Sequence, residues 1–137
     1  ALGAGVCDGK ELGDNAKAVF MTRGLAEIGR LAAAAGANPL TLSGLAGLGD
    51  LVATCSSTLS RNHSVGERLA KGESLQEIRE SMVNVAEGVD TTAAAMALSK
   101  QLGVDMPITQ AMYSVLFESV PLDEAIASLL GRAPRPE

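Results

Sequence analysis

The 137 residues suffice for one domain that buries roughly two-thirds of the surface its unfolded chain exposes, with no need of disulfides or metal. A net charge of −5 disfavours nucleic acid and anionic membrane as general partners, and one Tyr, two Phe and no Trp leave no aromatic platform for stacking bases. Hydrophobic residues make up 47% of the chain but aromatics only 2%, so Leu, Ala, Val, Ile and Met must fill the core, which favours closely packed helices, an all-α fold, over a sandwich.

No apolar run reaches the ~18 residues of a membrane span, and no basic stretch precedes an apolar one at the start, so a soluble, unexported chain is expected. Cys7 and Cys55 have neither CxxC spacing nor a His cluster and read as reduced, buried thiols, with a reducing cytoplasm as the simplest compartment. The apolar opening at Ala1, without a Met, reads as the middle of a longer polypeptide. Gly3-Ala4-Gly5-Val6-Cys7-Asp8 matches GxGxxG only in part, since it ends in Asp and no strand precedes it; Gly3 and Gly5 are expected to allow close packing where this domain meets a neighbouring one.

In chain order, Asp14 is placed to cap a long helix to about Ala35, with Ala18, Met21, Leu25, Ile28, Ala32 and Ala35 on the core side. Arg23, Glu27 and Arg30 fall on its polar side, where opposite charges add a few tenths of a kcal/mol per pair. Gly24 and Gly29, each costing about 1 kcal/mol relative to Ala, suggest close approach of another backbone and hence a central helix. Gly36 stops it, and Asn38-Pro39 begins a new turn. A glycine-rich turn then enters a short helix near Leu48 to Cys55, followed by a loop over Ser56 to Leu59 and a helix through Val65, Leu69 and Ala70 that ends at Gly72.

Ser74-Leu75-Gln76-Glu77 has the spacing of a capping box, with Leu75, Ile78 and Met82 inward. The stretch from about Gly88 to Leu102 offers Val89, Ala93 and Met96 on one face, with Gly103 as its stop. Pro107 starts a helix carrying Ile108, Ala111, Met112, Val115 and Leu116, and Pro121 the last one, with Leu122, Ala125, Ile126 and Leu129 inward and Gly131 at its end. The tail Arg132 to Glu137 lacks an apolar repeat and reads as frayed.

The chemistry concentrates between Gly44 and Asn62. Gly44-Leu45-Ala46-Gly47-Leu48-Gly49-Asp50 leads to Thr54 and then to Ser60-Arg61-Asn62, which sets a carboxylate, hydroxyls, a guanidinium and a carboxamide beside glycines that leave the backbone open. Such a set suits a small, polyhydroxylated anion. A guanidinium grips phosphate with parallel charge-assisted bonds, while hydroxyl and amide donors take the remaining oxygens. Each residue also has a plain structural reading. Asp50 would cap the following helix, Thr54 would bond back to a helical carbonyl, Arg61 would be a solvated charge, and Glu87 would cap the next helix. His63, the only His, has no acid or nucleophile arranged around it in sequence.

The Gly-rich turn with Asp50 and Ser60-Arg61-Asn62 closely resembles the substrate-binding segment of bacterial NAD(P)-dependent glycerol-3-phosphate dehydrogenases. The resemblance extends through Gly13-Asp14-Asn15-Ala16-Lys17, Thr22-Arg23-Gly24-Leu25-Ala26-Glu27, Val85-Ala86-Glu87-Gly88 and Met106-Pro107-Ile108-Thr109, nearly the whole chain in order. It implies the all-helical C-terminal domain shared by 6-phosphogluconate-dehydrogenase-like enzymes. It further implies reversible reduction of dihydroxyacetone phosphate to sn-glycerol 3-phosphate by NADH or NADPH, feeding glycerophospholipid synthesis.

By the same resemblance Asp50, Thr54, Ser60, Arg61 and Asn62 bind substrate, and Arg61, Val85 and Glu87 approach the cofactor. The proton-donating Lys belongs to a Lys-Asn pair a few residues before the segment matching Ala1; Lys10 and Lys17 do not occupy that place. Residues 1–137 are then the helical substrate domain, inactive without the N-terminal dinucleotide-binding domain, and the face that domain would cover is expected to favour self-association, possible as a homodimer. The family often carries further basic residues after Ser-Arg-Asn, whereas His63-Ser64 stand here, which puts a second phosphate contact at this point in doubt. The rivals are a related hydroxyacid dehydrogenase and a non-enzymatic helical interaction module.

Overall fold

A computed structural model describes residues 1–132, so the expectation of a frayed tail falls almost wholly outside the described residues. These fold into nine α-helices and a π-helical turn, without a strand among them. They are α1 (Leu2–Gly9), α2 (Asp14–Ala34), α3 (Pro39–Leu42), the π-turn (Leu45–Gly49) running directly into α4 (Asp50–Ser56), α5 (Arg61–Ala70), α6 (Leu75–Ser81), α7 (Glu87–Leu102), α8 (Pro107–Phe117) and α9 (Leu122–Leu130).

The centre of the domain is the pair α1 and α5, not α2. Leu2, Ala4, Val6 and Cys7 of α1 are all buried, as are His63 and Val65 of α5. Glycines make this contact possible. A Cβ on Gly5 would collide with the backbone of His63, and one on Gly66 with the carbonyl of Leu2, so the two helices meet backbone to backbone. Gly3 gives room to the ring of Phe20. The close packing expected at Gly3 and Gly5 is therefore real, but it lies inside this domain and not at a boundary with another. The helix cost of these glycines, about 1 kcal/mol each, is offset by the contact they permit.

From this pair the core continues through Leu2, Val65, Ile78, Ala86, Val89 and Leu116, with Leu69, Leu75, Met82 and Met112 packed against it. It thus links α1, α5, α6, α7 and α8. Local signals set most boundaries. Ser74 and Glu77 form the expected capping box, and Asn38 accepts from the Leu40 N–H at 3.0 Å. Gly103 adopts φ +66° where α7 ends, a conformation glycine reaches without steric cost.

α2 departs from expectation in three respects. Asp14 is its first residue and makes no capping bond, the cap position being Gly13. The apolar stripe does not face a deep core, since Ala18, Ile28 and Ala35 are exposed, and nothing lies within 4 Å of where a Cβ would stand on Gly24 or Gly29. Instead the buried residue of α2 is Glu27, 3% exposed, assigned by sequence to the polar side.

Glu27 caps a distant helix. Its carboxylate accepts from the backbone N–H of Ile108 at 2.6 Å and of Thr109 at 3.2 Å, and from the Thr109 hydroxyl at 3.2 Å. Pro107 opens α8 without an N–H, Met106 before it offers no side-chain cap, and Gln110 N–H already donates to the Met106 carbonyl. Glu27 therefore satisfies the two first-turn donors left over. Burial nevertheless holds its carboxyl above the ordinary range, against the lowering effect of those bonds and of Arg30.

Candidate functional site

The turn Ser57-Thr58-Leu59 brings the end of α4 against the start of α5. Ser57 Oγ accepts from Leu59 N–H at 3.2 Å, and the Ser57 carbonyl accepts from Ser60 N–H at 3.1 Å, so the chain reverses within one tight loop. Ser60 then caps α5, its Oγ accepting from His63 N–H at 3.3 Å. Arg61 is the first residue of that helix and is exposed.

Asn62 joins the start of α5 to the start of α7. Its Oδ1 accepts from Gly88 N–H at 2.8 Å, which caps α7 where Ala86 supplies no side-chain bond. The N-terminal turns of a 10-residue and a 16-residue helix therefore meet at one place. Each contributes about half a positive elementary charge there. Beside them opens a hollow of about 420 Å³, lined by Thr54 and Ser57 from the α4 side, Ser60, Arg61 and Asn62 from α5, and Glu87 from α7, with Ala53 and Leu59 as apolar wall.

The Arg61 guanidinium has no hydrogen bond or ion pair to any of the described residues. Together with two helix starts, it makes this hollow a fit for an anion. Glu87 adds an acceptor for hydroxyl or amide donors. It begins α7 but makes no cap, and Thr54 makes no back-bond to a helical carbonyl among the described residues, so the structural alternatives for both fall away. Ser60 and Asn62 combine both roles: each uses an oxygen to cap a helix and keeps a hydroxyl or NH₂ proton to donate.

Two sequence candidates stand apart from this lining. Asp50 is exposed at the first position of α4, without a capping bond, one turn before Thr54 on the same side of the helix. Val85, 67% exposed, is not part of the hollow. Neither Lys10 nor Lys17 reaches it, since Lys10 pairs with Asp123 at 2.6 Å and Lys17 with Asp8 at 2.6 Å. Cys7 and Cys55 are free and buried, and burial, followed by the neighbouring Asp8 charge, pushes the Cys7 thiol up.

His63 does have an acid beside it, unseen in the sequence because 55 positions separate the two. Its Nε2 lies 2.7 Å from Asp8 Oδ2, and the ring is 3% exposed. The side chain at this position therefore points into the domain and takes no part in the lining of the hollow. Sequence reasoning missed the polar lining residue Ser57 and the apolar wall residues Ala53 and Leu59; the only signal for Ser57 was the tight loop before Ser60.

The described residues thus form an all-helical domain with an open polar hollow suited to a small anion. The crystal structure of glycerol-3-phosphate dehydrogenase from Coxiella burnetii matches it with a TM-score of 0.92 and 39% sequence identity, over 96% of this chain and 40% of that one. The chain belongs to the family described as NAD-dependent glycerol-3-phosphate dehydrogenase C-terminus, which matches residues 1–127.

Curated relatives include glycerol-3-phosphate dehydrogenase (NAD(P)+) of Prosthecochloris aestuarii, 56% identical over 137 residues, all of this chain and 41% of that protein. That of Dehalococcoides mccartyi is 58% identical over 130 residues, 95% of this chain and 36% of that protein. The chain thus spans roughly two-fifths of the length of the relatives it matches.

Proposed function

We propose that residues 1–137 form the substrate-gripping part of an NAD(P)-dependent sn-glycerol-3-phosphate dehydrogenase, which reversibly reduces dihydroxyacetone phosphate. The observation that carries this reading is the unengaged Arg61 guanidinium at the meeting point of two helix starts. In this arrangement the substrate phosphate binds Arg61, with the Ser60 hydroxyl and the Asn62 NH₂ donating to its other oxygens. Thr54 and, one turn before it, Asp50 face the hydroxylated end.

The described residues contain no strand and no glycine-rich phosphate loop at a strand end, so they fit only the edge of a dinucleotide. Arg61 and Glu87 suit it best, through a charge for its phosphates and an acceptor for its hydroxyls, and Val85 offers exposed apolar surface nearby in sequence. A bound nicotinamide supplies the hydride. The negative charge that develops on the substrate carbonyl oxygen needs a proton donor, which the family resemblance puts on a Lys outside this chain. What this chain contributes is position: holding the phosphate fixes the carbonyl relative to groups brought by the rest of the polypeptide.

The test is oxidation of NADPH and NADH by the full-length parent polypeptide with dihydroxyacetone phosphate, beside an Arg61→Ala variant. Turnover that falls by about two orders of magnitude in kcat/KM on losing the guanidinium is expected. Absence of turnover with both cofactors refutes the assignment and favours a related dehydrogenase for another hydroxy acid. Unchanged kinetics in Arg61→Ala refutes the phosphate grip.

A further inference from the structure

Behind the hollow runs a line of charged and polar side chains that does not reach it. Lys17 Nζ on α2 lies 2.6 Å from Asp8 Oδ2 near the end of α1, and the same oxygen lies 2.7 Å from His63 Nε2 on α5. The Lys17 ammonium is the main reason the Asp8 carboxyl sits below its ordinary range, with the His63 bond adding to it. A carboxylate only accepts, so the imidazole donates through Nε2. Its other nitrogen, Nδ1, is buried and has no partner among the described residues. Asp8 is therefore the tether on the polar edge of this ring. Glu67, one turn further along α5, bears on the ring electrostatically but is engaged by Lys71.

The place of this tether matters more than its strength. His63 is the third residue of α5, directly after Ser60, Arg61 and Asn62, and its own N–H is the one that Ser60 caps. A flexible guanidinium is well aimed only if the backbone that carries it is fixed. The His63 backbone rests against Gly5 of α1, Asn62 accepts from Gly88 N–H, and the His63–Asp8 pair is the side-chain tie between this turn and α1, while Arg61 itself is exposed.

We propose that His63, held by Asp8 and in turn by Lys17, is a positioning residue that seats the first turn of α5 and so aims Arg61 and Asn62 at a phosphoryl group in the hollow. The inference rests on the phosphate reading given above. Asp8 and His63 touch no substrate; they act through the helix start.

The experiment measures steady-state kinetics of the full-length parent with dihydroxyacetone phosphate for Arg61→Ala, His63→Ala, His63→Gln and Asp8→Ala, each beside its thermal unfolding curve. Removing the tether raises KM about tenfold in His63→Ala and Asp8→Ala while kcat stays within about threefold, because binding is loosened more than chemistry. His63→Gln keeps a donor toward Asp8 and restores most of the KM. Asp8 is partly exposed, so its variant remains informative if the buried His63→Ala fails to fold.

A KM unchanged in Asp8→Ala, or a KM in His63→Gln as high as in the Ala variants, overturns the positioning role while leaving the phosphate site intact. A loss confined to kcat, or one that merely follows the folded fraction, overturns it too. If Arg61→Ala itself leaves kcat/KM unchanged, the phosphate reading fails and this inference fails with it.

Discussion

Replacing Glu27 by Ala tests the account of how α8 is started. The carboxylate accepts two backbone N–H groups and one hydroxyl, and neither Pro107 nor Met106 can take over. Losing a side-chain cap costs about 0.5–2 kcal/mol, and each buried donor left without a partner about 1–3 kcal/mol. Ile108 and Thr109 are only half-buried, so water relieves part of this, and removing a desolvated charge returns some more. A net loss of about 2–3 kcal/mol is expected, read as a lower urea midpoint with an unchanged slope.

The pH dependence of this loss is sharper than its size. Burial raises the Glu27 carboxyl above its ordinary value of 4.5, so the folded state holds this proton more tightly than the unfolded one. The resulting stabilisation is fully present below the unfolded value and is lost as pH rises through the raised one. The Glu27→Ala penalty should therefore be larger near about pH 4 than at about pH 8. A penalty below about 0.5 kcal/mol, or one that grows with pH, would refute the reasoning.

Gly66→Ala drives a Cβ into the Leu2 carbonyl where α1 and α5 touch, and should destabilise by about 3 kcal/mol or more in urea unfolding; a loss under about 1 kcal/mol would mean that the helices separate easily. Ser74→Ala removes one half of the capping box and leaves the backbone N–H of residue 74 donating to Glu77 Oε2, so a loss of about 1 kcal/mol is expected by the same method. Asp8 is held low chiefly by Lys17, so its contribution is present above its unfolded value of 3.8 and disappears as pH falls through the lowered one. Lys17→Met should flatten that part of the acid unfolding profile; an unaltered profile would separate Lys17 from Asp8.

Helix ends were largely written in local sequence. Ser74-Leu75-Gln76-Glu77 caps α6 as spacing implies, Asn38-Pro39 opens α3, Pro107 opens α8 and Gly103 ends α7, since these signals act within a few residues. The faces were less legible. The stripe on α2 has the right period yet lies half-exposed, because periodicity says which residues share a side and not whether anything covers it.

The same division holds for the site. Ser60-Arg61-Asn62 and Glu87 were visible as chemistry, and the structure brings them around one hollow with Thr54. That Ser60 and Asn62 also hold the starts of α5 and α7 was not visible, because the Asn62 partner, Gly88, lies 26 residues away.

The sequence by itself determined the helical class, the order and ends of most helices, the family and all the polar residues of the hollow but Ser57, for these follow from local backbone chemistry and from side chains close together in the chain. Only the tertiary structure decided that α1 and α5 are the centre, that Glu27 is a buried cap and that His63 answers to Asp8. Each of those facts is a pairing of residues dozens of positions apart, fixed by which helices pack together and by what burial demands of the polar groups caught between them.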